Sequence, residues 1–316
     1  MSITLHKPAT RYRPPAPLGG RGAGARPARR SLLALLFLAP ALVLLGAFVA
    51  WPMLSAFRLS FTDSSGFGRE SWVGLENYAR VFTDPAVLRA LGNTALYAAL
   101  FTPTAVIVAL VLALALNHPR LPLRGAFRTA LFLPFVVSLA VAAFAWSYLL
   151  DPQIGLLNFW LRGAGVQLGN VLQDPALAMP TVALVAVWKN FGFYMVIFLA
   201  GLQEIPGSLR EAAVVDGANA WQRLVHITLP MLSNTFAFVL IVALIAALQA
   251  FDQIYVMTGG GPFGSTQTIV MEIYESGFRE LELGFASALS YVLLAITLLL
   301  SLVQFVFFGR REQDTQ

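Results

Sequence analysis

Residues 91–116 read LGNTALYAALFTPTAVIVALVLALAL. No side chain in this run is charged, and it is apolar around its whole circumference. A helix lying on a water-facing surface carries one polar face, and this one has none. Roughly 20 apolar residues in a helix cross a bilayer core, so the run is long enough to span. Working outward, five more stretches have the same character: 31–54, 129–150, 175–202 (broken only by Lys189), 231–250 and 283–309. Pro40, Pro103, Pro134 and Pro180 fall inside these stretches. Prolines are tolerated in membrane helices and mark kinks there. The pattern predicts an all-α polytopic membrane protein with six transmembrane helices.

The composition agrees. The 316 residues are 58% hydrophobic and only 12% charged, against about 25% charged in an average soluble domain. That excludes an ordinary soluble enzyme and a disordered chain. There is no cysteine, hence no disulfide, thiolate nucleophile or Cys-metal site. His6, His118 and His226 lie too far apart for metal-ligand spacing. The first stretch follows a basic N-terminus, as a signal peptide does, but it exceeds an h-region and residues 1–30 exceed an n-region. It is read as a retained helix.

Six spans sort the loops into two sets. Segments 1–30, 117–128, 203–230 and 310–316 hold 14 Lys/Arg and 5 Asp/Glu. Segments 55–90, 151–174 and 251–282 hold 6 Lys/Arg and 11 Asp/Glu. This bias places the first set, and with it both termini, in the cytoplasm. The chain divides into a basic disordered tail (1–30), a membrane domain (31–309) and a short C-terminal tail (310–316). The tail lacks the interleaved aromatics of a nucleic-acid arm, so no nucleic-acid partner is expected.

The outer loops contain no G-x-S-x-G, H-E-x-x-H or P-loop pattern, and no metal site is expected. Gly259-Gly260-Gly261-Pro262 lacks the Lys-Ser/Thr that would hold phosphate; it reads as a tight turn, or else as a docking or lid loop. The 203–230 segment is the informative one. Pro206 or Ser208 can open a helix with Glu211 in its first turn, where a carboxylate suits the dipole. Gly217 can close that helix as a left-handed cap. A second short segment runs through Trp221, Leu224, Val225 and Thr228 before Pro230. The result is a helix–Gly–helix elbow at the cytoplasmic face.

Glu211-Ala212-Ala213, Asp216-Gly217-Ala218 and Ile227-Thr228-Leu229-Pro230 resemble the EAA motif of binding-protein-dependent ABC importer permeases, in the loop between the fourth and fifth helices where that family carries it. Leu224 stands where an aromatic is common. Trp72-Val73-Gly74-Leu75-Glu76-Asn77-Tyr78, Asn93-Thr94 and Leu199-Ala200-Gly201-Leu202 also match. Thr258-Gly259-Gly260-Gly261-Pro262 is similar to the loop of the first permease of carbohydrate importers of the maltose and glycerol-3-phosphate type. The resemblance implies a type I ABC importer permease fold in the bacterial inner membrane, and no enzymatic activity of the chain's own. It implies a heterodimer with a second permease, two ATPase subunits (or a dimer of one) that bind ATP and magnesium, and an extracytoplasmic solute-binding protein. No cofactor would bind this chain directly. Glu211, Ala212, Ala213, Asp216, Gly217, Ala218, Ile227, Leu229 and Pro230 would couple it to the ATPase.

For the pathway, Lys189 is the one ionisable residue inside the six stretches, a costly placement unless paired or facing water. Lys189, Asn190 and Tyr194 share the fourth helix, and Asp252 and Gln253 follow the fifth. These five are candidates for lining a route for a hydroxyl-rich solute; otherwise Lys189 snorkels and Asn190 bonds a neighbouring helix. Competing readings are an importer permease for another solute class, an ion-coupled secondary transporter and a membrane-embedded enzyme. A secondary transporter predicts repeats, which are not seen, and an enzyme predicts a catalytic cluster where Asp, Glu and His are scattered.

Overall fold

A computed structural model describes residues 37–66, 68, 70–118, 120–165 and 169–313. The expected basic tail, residues 31–36 of the first stretch and residues 314–316 lie outside the described residues. The regular structure among those described is helical; the single β feature among them is an isolated bridge between Thr62 and Trp72. Without water to satisfy N–H and C=O groups, a chain in lipid closes its hydrogen bonds within each segment.

The chain forms two units, Met1–Leu54 and Ser55–Gln316. Of the first, the described part is helix α1 (Phe37–Leu59), which continues into the second unit and has none of its apolar window buried. The second unit contains α2 (Glu76–Thr83), α3 (Pro85–Leu116), α4 (Arg124–Val136), α5 (Leu139–Leu149), α6 (Leu156–Gly163) and α7 (Ala178–Glu204). It continues with α8 (Gly207–Val215), α9 (Ala220–Met231), α10 (Ser233–Leu248), α11 (Asp252–Met257), α12 (Ile269–Tyr274) and α13 (Leu283–Gln313).

Four helices are long and apolar enough to span: α1, α3, α7 and α13. The third predicted span is bent within its length, and the fifth is bent at its start, at Leu232. Helices α4 and α5 meet at 95°, and α9 and α10 at 68°. The count of candidate spans is therefore four, or six if each bent pair crosses once. Pro134 lies inside α4, and the break follows it at Val137 and Ser138, whose backbones are extended. Pro180 lies in the first turn of α7 and causes no kink, because the N–H it lacks would have no partner there.

Helix α3 starts earlier than hydropathy indicates. Asp84 caps it, accepting a bond from the Ala86 N–H at 2.9 Å, and Pro85 occupies the first position. Arg89, read from sequence as a loop residue, is consequently helical. Helix α13 likewise runs on through 310–313, assigned above to the tail.

The core lies between α3 and α7. Tyr97, Phe101, Met179, Tyr194, Met195, Phe198 and Leu202 are buried in one cluster that also takes in Leu232 and Ile254. Leu294, Leu298 and Leu302 of α13 are exposed, as expected of a surface that meets lipid. Two glycines set how close the helices come. A Cβ on Gly192 would overlap the Leu131 carbonyl oxygen and lie 2.9 Å from the Phe132 Cα, so α7 and α4 touch through backbone. A Cβ on Gly201 would meet Thr235 Oγ1 at 2.5 Å, which seats α7 on α10.

The Trp72–Tyr78 stretch is explained by one turn. Gly74 has φ +63°, Trp72 stacks on Phe61, and Asn77 Nδ2 donates to the Ser60 and Thr62 carbonyls at 3.0 and 2.8 Å.

Candidate functional site: an elbow and a cavity

The elbow forms as α8, a turn and α9. Its turn is a complete left-handed cap: the Ala218 N–H bonds the Ala213 carbonyl at 2.9 Å, and the Gly217 N–H bonds the Val214 carbonyl at 3.1 Å. Gly217 has φ +79°, a conformation that side chains with a Cβ disfavour. The second helix starts with a capping box that the sequence reading missed. Gln222 N–H donates to Asn219 Oδ1 at 2.9 Å, and Asn219 N–H donates to Gln222 Oε1 at 2.8 Å. The Asn-x-x-Gln spacing was the available signal. Replacing Asn219 by alanine should cost about 1 kcal/mol of local stability, measured as faster amide hydrogen exchange over Ala220–Arg223.

One expectation is corrected. Helix α8 begins at Gly207 and has no acidic residue in its first turn, so Glu211 lies mid-helix and does not serve the dipole. Glu211 and Ala212 are exposed, while Ala213 is 8% exposed and faces inward. Asp216 caps the C-terminal end of α8, where a carboxylate opposes the dipole. Local stability therefore explains neither acid. Val214, Val215 and Trp221 are exposed, Val215 at 87%. An open groove lined by Asp216, Gly217, Ala218, Gln222, His226 and Ile227 runs along the turn. Beyond it, Leu224–Thr228 widens into a π-turn just before Leu229 and Pro230. In a regular α-turn the proline ring would strike the carbonyl four residues back, that of His226; widening the turn there removes the clash. The same arrangement precedes Pro52, at Gly46–Ala50.

The second constellation is a cavity of about 150 Å³ lined by Tyr97, Phe101, Leu139, Asn190, Gln249, Phe251, Asp252 and Gln253, together with Ala246 and Ala250. The structure thus brings together three of the five pathway candidates, Asn190, Asp252 and Gln253. Tyr194 is 2% exposed and belongs to the core. Lys189 lies outside the cavity lining, with its Nζ 4.7 Å from the centre of the Phe135 ring and an electrostatic attraction to Asp252. Asn190 bonds its own helix, Nδ2 to the Ala186 carbonyl at 2.8 Å, and not a neighbour. Gln253 Nε2 donates to Tyr97 Oη at 2.7 Å. Gln253 Oε1 is buried without a protein partner. Tyr97 and Gln249 escaped the sequence reading because a lone Tyr or Gln in an apolar run is indistinguishable there from a core residue.

Comparison with known proteins fits this geometry. Residues 87–313 match the family described as binding-protein-dependent transport system inner membrane component. The chain is 36% identical to the probable ABC transporter permease protein YurN of Bacillus subtilis, over 90% of this chain and 99% of that one. It is 37% identical to the sn-glycerol-3-phosphate transport system permease protein UgpA of Yersinia pestis, over 89% and 95%. Among solved structures it resembles a chain of a bacterial alginate ABC transporter in complex with an alginate pentasaccharide-bound periplasmic protein. There the TM-score is 0.79 and the identity 25%, over 89% of this chain and 96% of that one. With a matched segment that contains both the elbow and the cavity, the chain belongs to the family of inner membrane components of binding-protein-dependent transport systems.

Proposed function

We propose that this chain is the permease subunit of an ABC importer that carries a sugar or sugar-like solute into the cytoplasm. The cavity carries the reading of solute class. It combines amides (Asn190, Gln249, Gln253), a carboxylate (Asp252) and aromatic faces (Tyr97, Phe101, Phe251), the groups that recognise a hydroxyl-rich molecule. Gln253 Oε1 is enclosed and unpartnered; when the pathway opens it accepts a solute hydroxyl, which relieves the roughly 1–3 kcal/mol cost of an unsatisfied buried acceptor. The names of the relatives, a glycerol-3-phosphate permease and an alginate transporter, support this solute class. Lys189, the neighbour in α7 of cavity residue Asn190, favours a second reading, a phosphate-bearing solute.

In this reading each bent pair crosses once, giving six spans, and both termini and the elbow are cytoplasmic; the Lys/Arg bias of the loops supports that orientation. The exposed Val214, Val215 and Trp221 then dock into a groove on an ATPase subunit, Ala212 and Ala213 permit close approach, and Glu211 and Asp216 meet basic partner groups. ATP and magnesium bind on two such ATPase subunits, or a dimer of one. A second permease completes the pathway, and a solute-binding protein delivers solute from outside.

The test is uptake by the reconstituted assembly of labelled neutral oligosaccharide, uronate oligosaccharide and glycerol-3-phosphate. Transport of one of these, dependent on ATP and the binding protein, is the expected result; transport without ATP overturns the reading. Gln253→Leu is expected to lower uptake at saturating binding protein about tenfold, the effect of one lost buried hydrogen bond. Affinity of the binding protein for solute stays unchanged, since that recognition occurs on a separate chain. Wild-type uptake in this variant would remove Gln253 from the pathway.

A further inference from the structure

A cavity of about 220 Å³ lies between the elbow and the helix bundle. One part of its wall is apolar, made by Leu114, Leu202, Ile205 and Leu224; Asn117, His118, Arg223 and Thr228 supply the polar part. Helices α3 and α7, both long and apolar enough to span, end here, at Leu116 and Glu204. The cavity is therefore at the level where lipid headgroups meet the bundle. Helix α9 separates it from the open groove described above. Ala220, Arg223, Leu224 and Thr228 recur at helical spacing on the cavity side, whereas Gln222 and His226 line the groove. Leu224 and Thr228 are also the two ends of the widened turn ahead of Pro230, so whatever fills the cavity braces that turn.

The lining carries charge of one sign. It includes the Arg223 guanidinium and no carboxylate; Glu204 and Asp216, acidic residues close by in the chain, lie outside it. The start of α9 and the ends of α3 and α7 all reach the cavity, so their dipoles oppose one another and the side chains decide the sign. Arg120, Arg124 and Arg128 follow His118 in the loop and the start of α4, all exposed, and add to the positive potential. The donors are fixed in place. Arg223 Nη1 donates to the Ala218 carbonyl at 2.6 Å, which holds the side chain against the elbow and leaves further guanidinium N–H groups for an anion. His118 Nδ1 accepts from the Arg120 N–H at 3.3 Å, so the neutral ring carries its proton on Nε2 and donates there. A free inorganic anion would use these donors and leave the apolar wall wet. A phosphate joined to glycerol and acyl chains matches both parts, and basic pockets between membrane helices hold anionic headgroups on the same grounds.

We propose that this cavity is a binding site for the headgroup phosphate of an anionic phospholipid, held by Arg223, His118 and Asn117, and that the bound lipid braces the widened turn of the elbow. The assignment of that lipid to the cytoplasmic leaflet rests on the orientation given above; the site itself does not depend on the importer reading.

The experiment titrates the complete purified assembly with short-chain phosphatidylglycerol, short-chain phosphatidylcholine or inorganic phosphate. Native mass spectrometry counts bound lipid, and amide hydrogen exchange follows Leu224–Thr228. Phosphatidylglycerol is expected to bind about tenfold or more tighter than phosphatidylcholine, and Arg223→Gln with His118→Gln to remove that preference, the loss of charge-assisted hydrogen bonds. Arg223→Lys, which keeps the charge without the planar fork, is expected to fall between. Because Arg223 also holds the Ala218 carbonyl, Ala220→Trp supplies the second variant: it fills the cavity from its exposed rim and keeps both donors. It too is expected to lose phosphatidylglycerol binding. Exchange at Leu224–Thr228 is expected to slow severalfold when phosphatidylglycerol is added to the wild type, and to be insensitive to it in Ala220→Trp. Normal phosphatidylglycerol binding in Ala220→Trp overturns the site and leaves Arg223 as a brace of the turn. Equal affinity for the two lipids overturns headgroup recognition, and displacement of phosphatidylglycerol by inorganic phosphate at similar concentrations overturns the lipid in favour of a soluble anion. Lipid binding without any change in exchange overturns the bracing. Neither readout requires transport, so any of these failures leaves the importer reading intact, and failure of ATP-dependent uptake leaves the site intact.

Discussion

Gly217→Val is expected to uncouple the assembly: solute-stimulated ATPase and uptake fall by about an order of magnitude or more while the subunits still purify together. Gly217 holds φ +79° in a complete left-handed cap, and a Cβ there would meet no neighbour within 4 Å. The substitution therefore creates no clash and acts purely through the backbone. Left-handed geometry costs an ordinary residue about 1–2 kcal/mol and a β-branched one more. That is enough to shift the elbow's population about tenfold or more away from the observed turn. Since the elbow is exposed and, among the described side chains of α8, Ala213 is the buried one, the membrane core should be unaffected. Gly217→Ala should give a smaller deficit of the same kind, and Glu211→Ala should reduce coupling without altering the turn. Full coupling in an assembled Gly217→Val complex would show that the elbow does not transmit ATPase motion.

Gly192→Leu is expected to prevent accumulation of folded protein, with Gly192→Ala measurably destabilised. Here the cause is steric. The added Cβ would overlap the Leu131 carbonyl oxygen and press on the Phe132 Cα, both backbone atoms of α4 that no rotamer change can move aside. Overpacking of this kind costs about 1–3 kcal/mol for small insertions and rises with size, a large share of the about 5–15 kcal/mol that holds an average domain together. Small residues at helix contacts in membranes serve this close approach. The measurement is thermal stability in detergent by loss of monodisperse protein. A Gly192→Leu variant as stable as wild type would mean that α4 and α7 do not pack through backbone.

The apolar runs at 91–116, 175–202 and 283–309 are legible as spans because transfer to lipid depends on composition summed over about 20 residues. The elbow is legible because its signals are local. A glycine at a left-handed position and a proline ahead of an apolar run act through their own φ and their own missing donor, so Gly217 and Pro230 announce the turn from within the chain. The capping box at Asn219 and the Asp84-Pro85 start of α3 were equally local signals.

Other features depend on residues far apart in sequence. The 95° break within the third stretch and the 68° break at the start of the fifth leave mean hydropathy unaltered, so the apolar pattern is the same for a straight span and a bent one. Gly192 carries no mark in its own neighbourhood that Leu131 will lie against it. The pathway candidates separated only in three dimensions, where Asn190, Asp252 and Gln253 line one cavity while Tyr194 is buried in the core and Lys189 lies over Phe135. Tyr97 joined them by a hydrogen bond from Gln253, 156 positions away. The apolar runs and turn residues determine helices and caps because those energies are summed along the chain. Which polar side chains face one another across the helices is decided by packing, through steric contacts and hydrogen bonds between segments that no local pattern encodes.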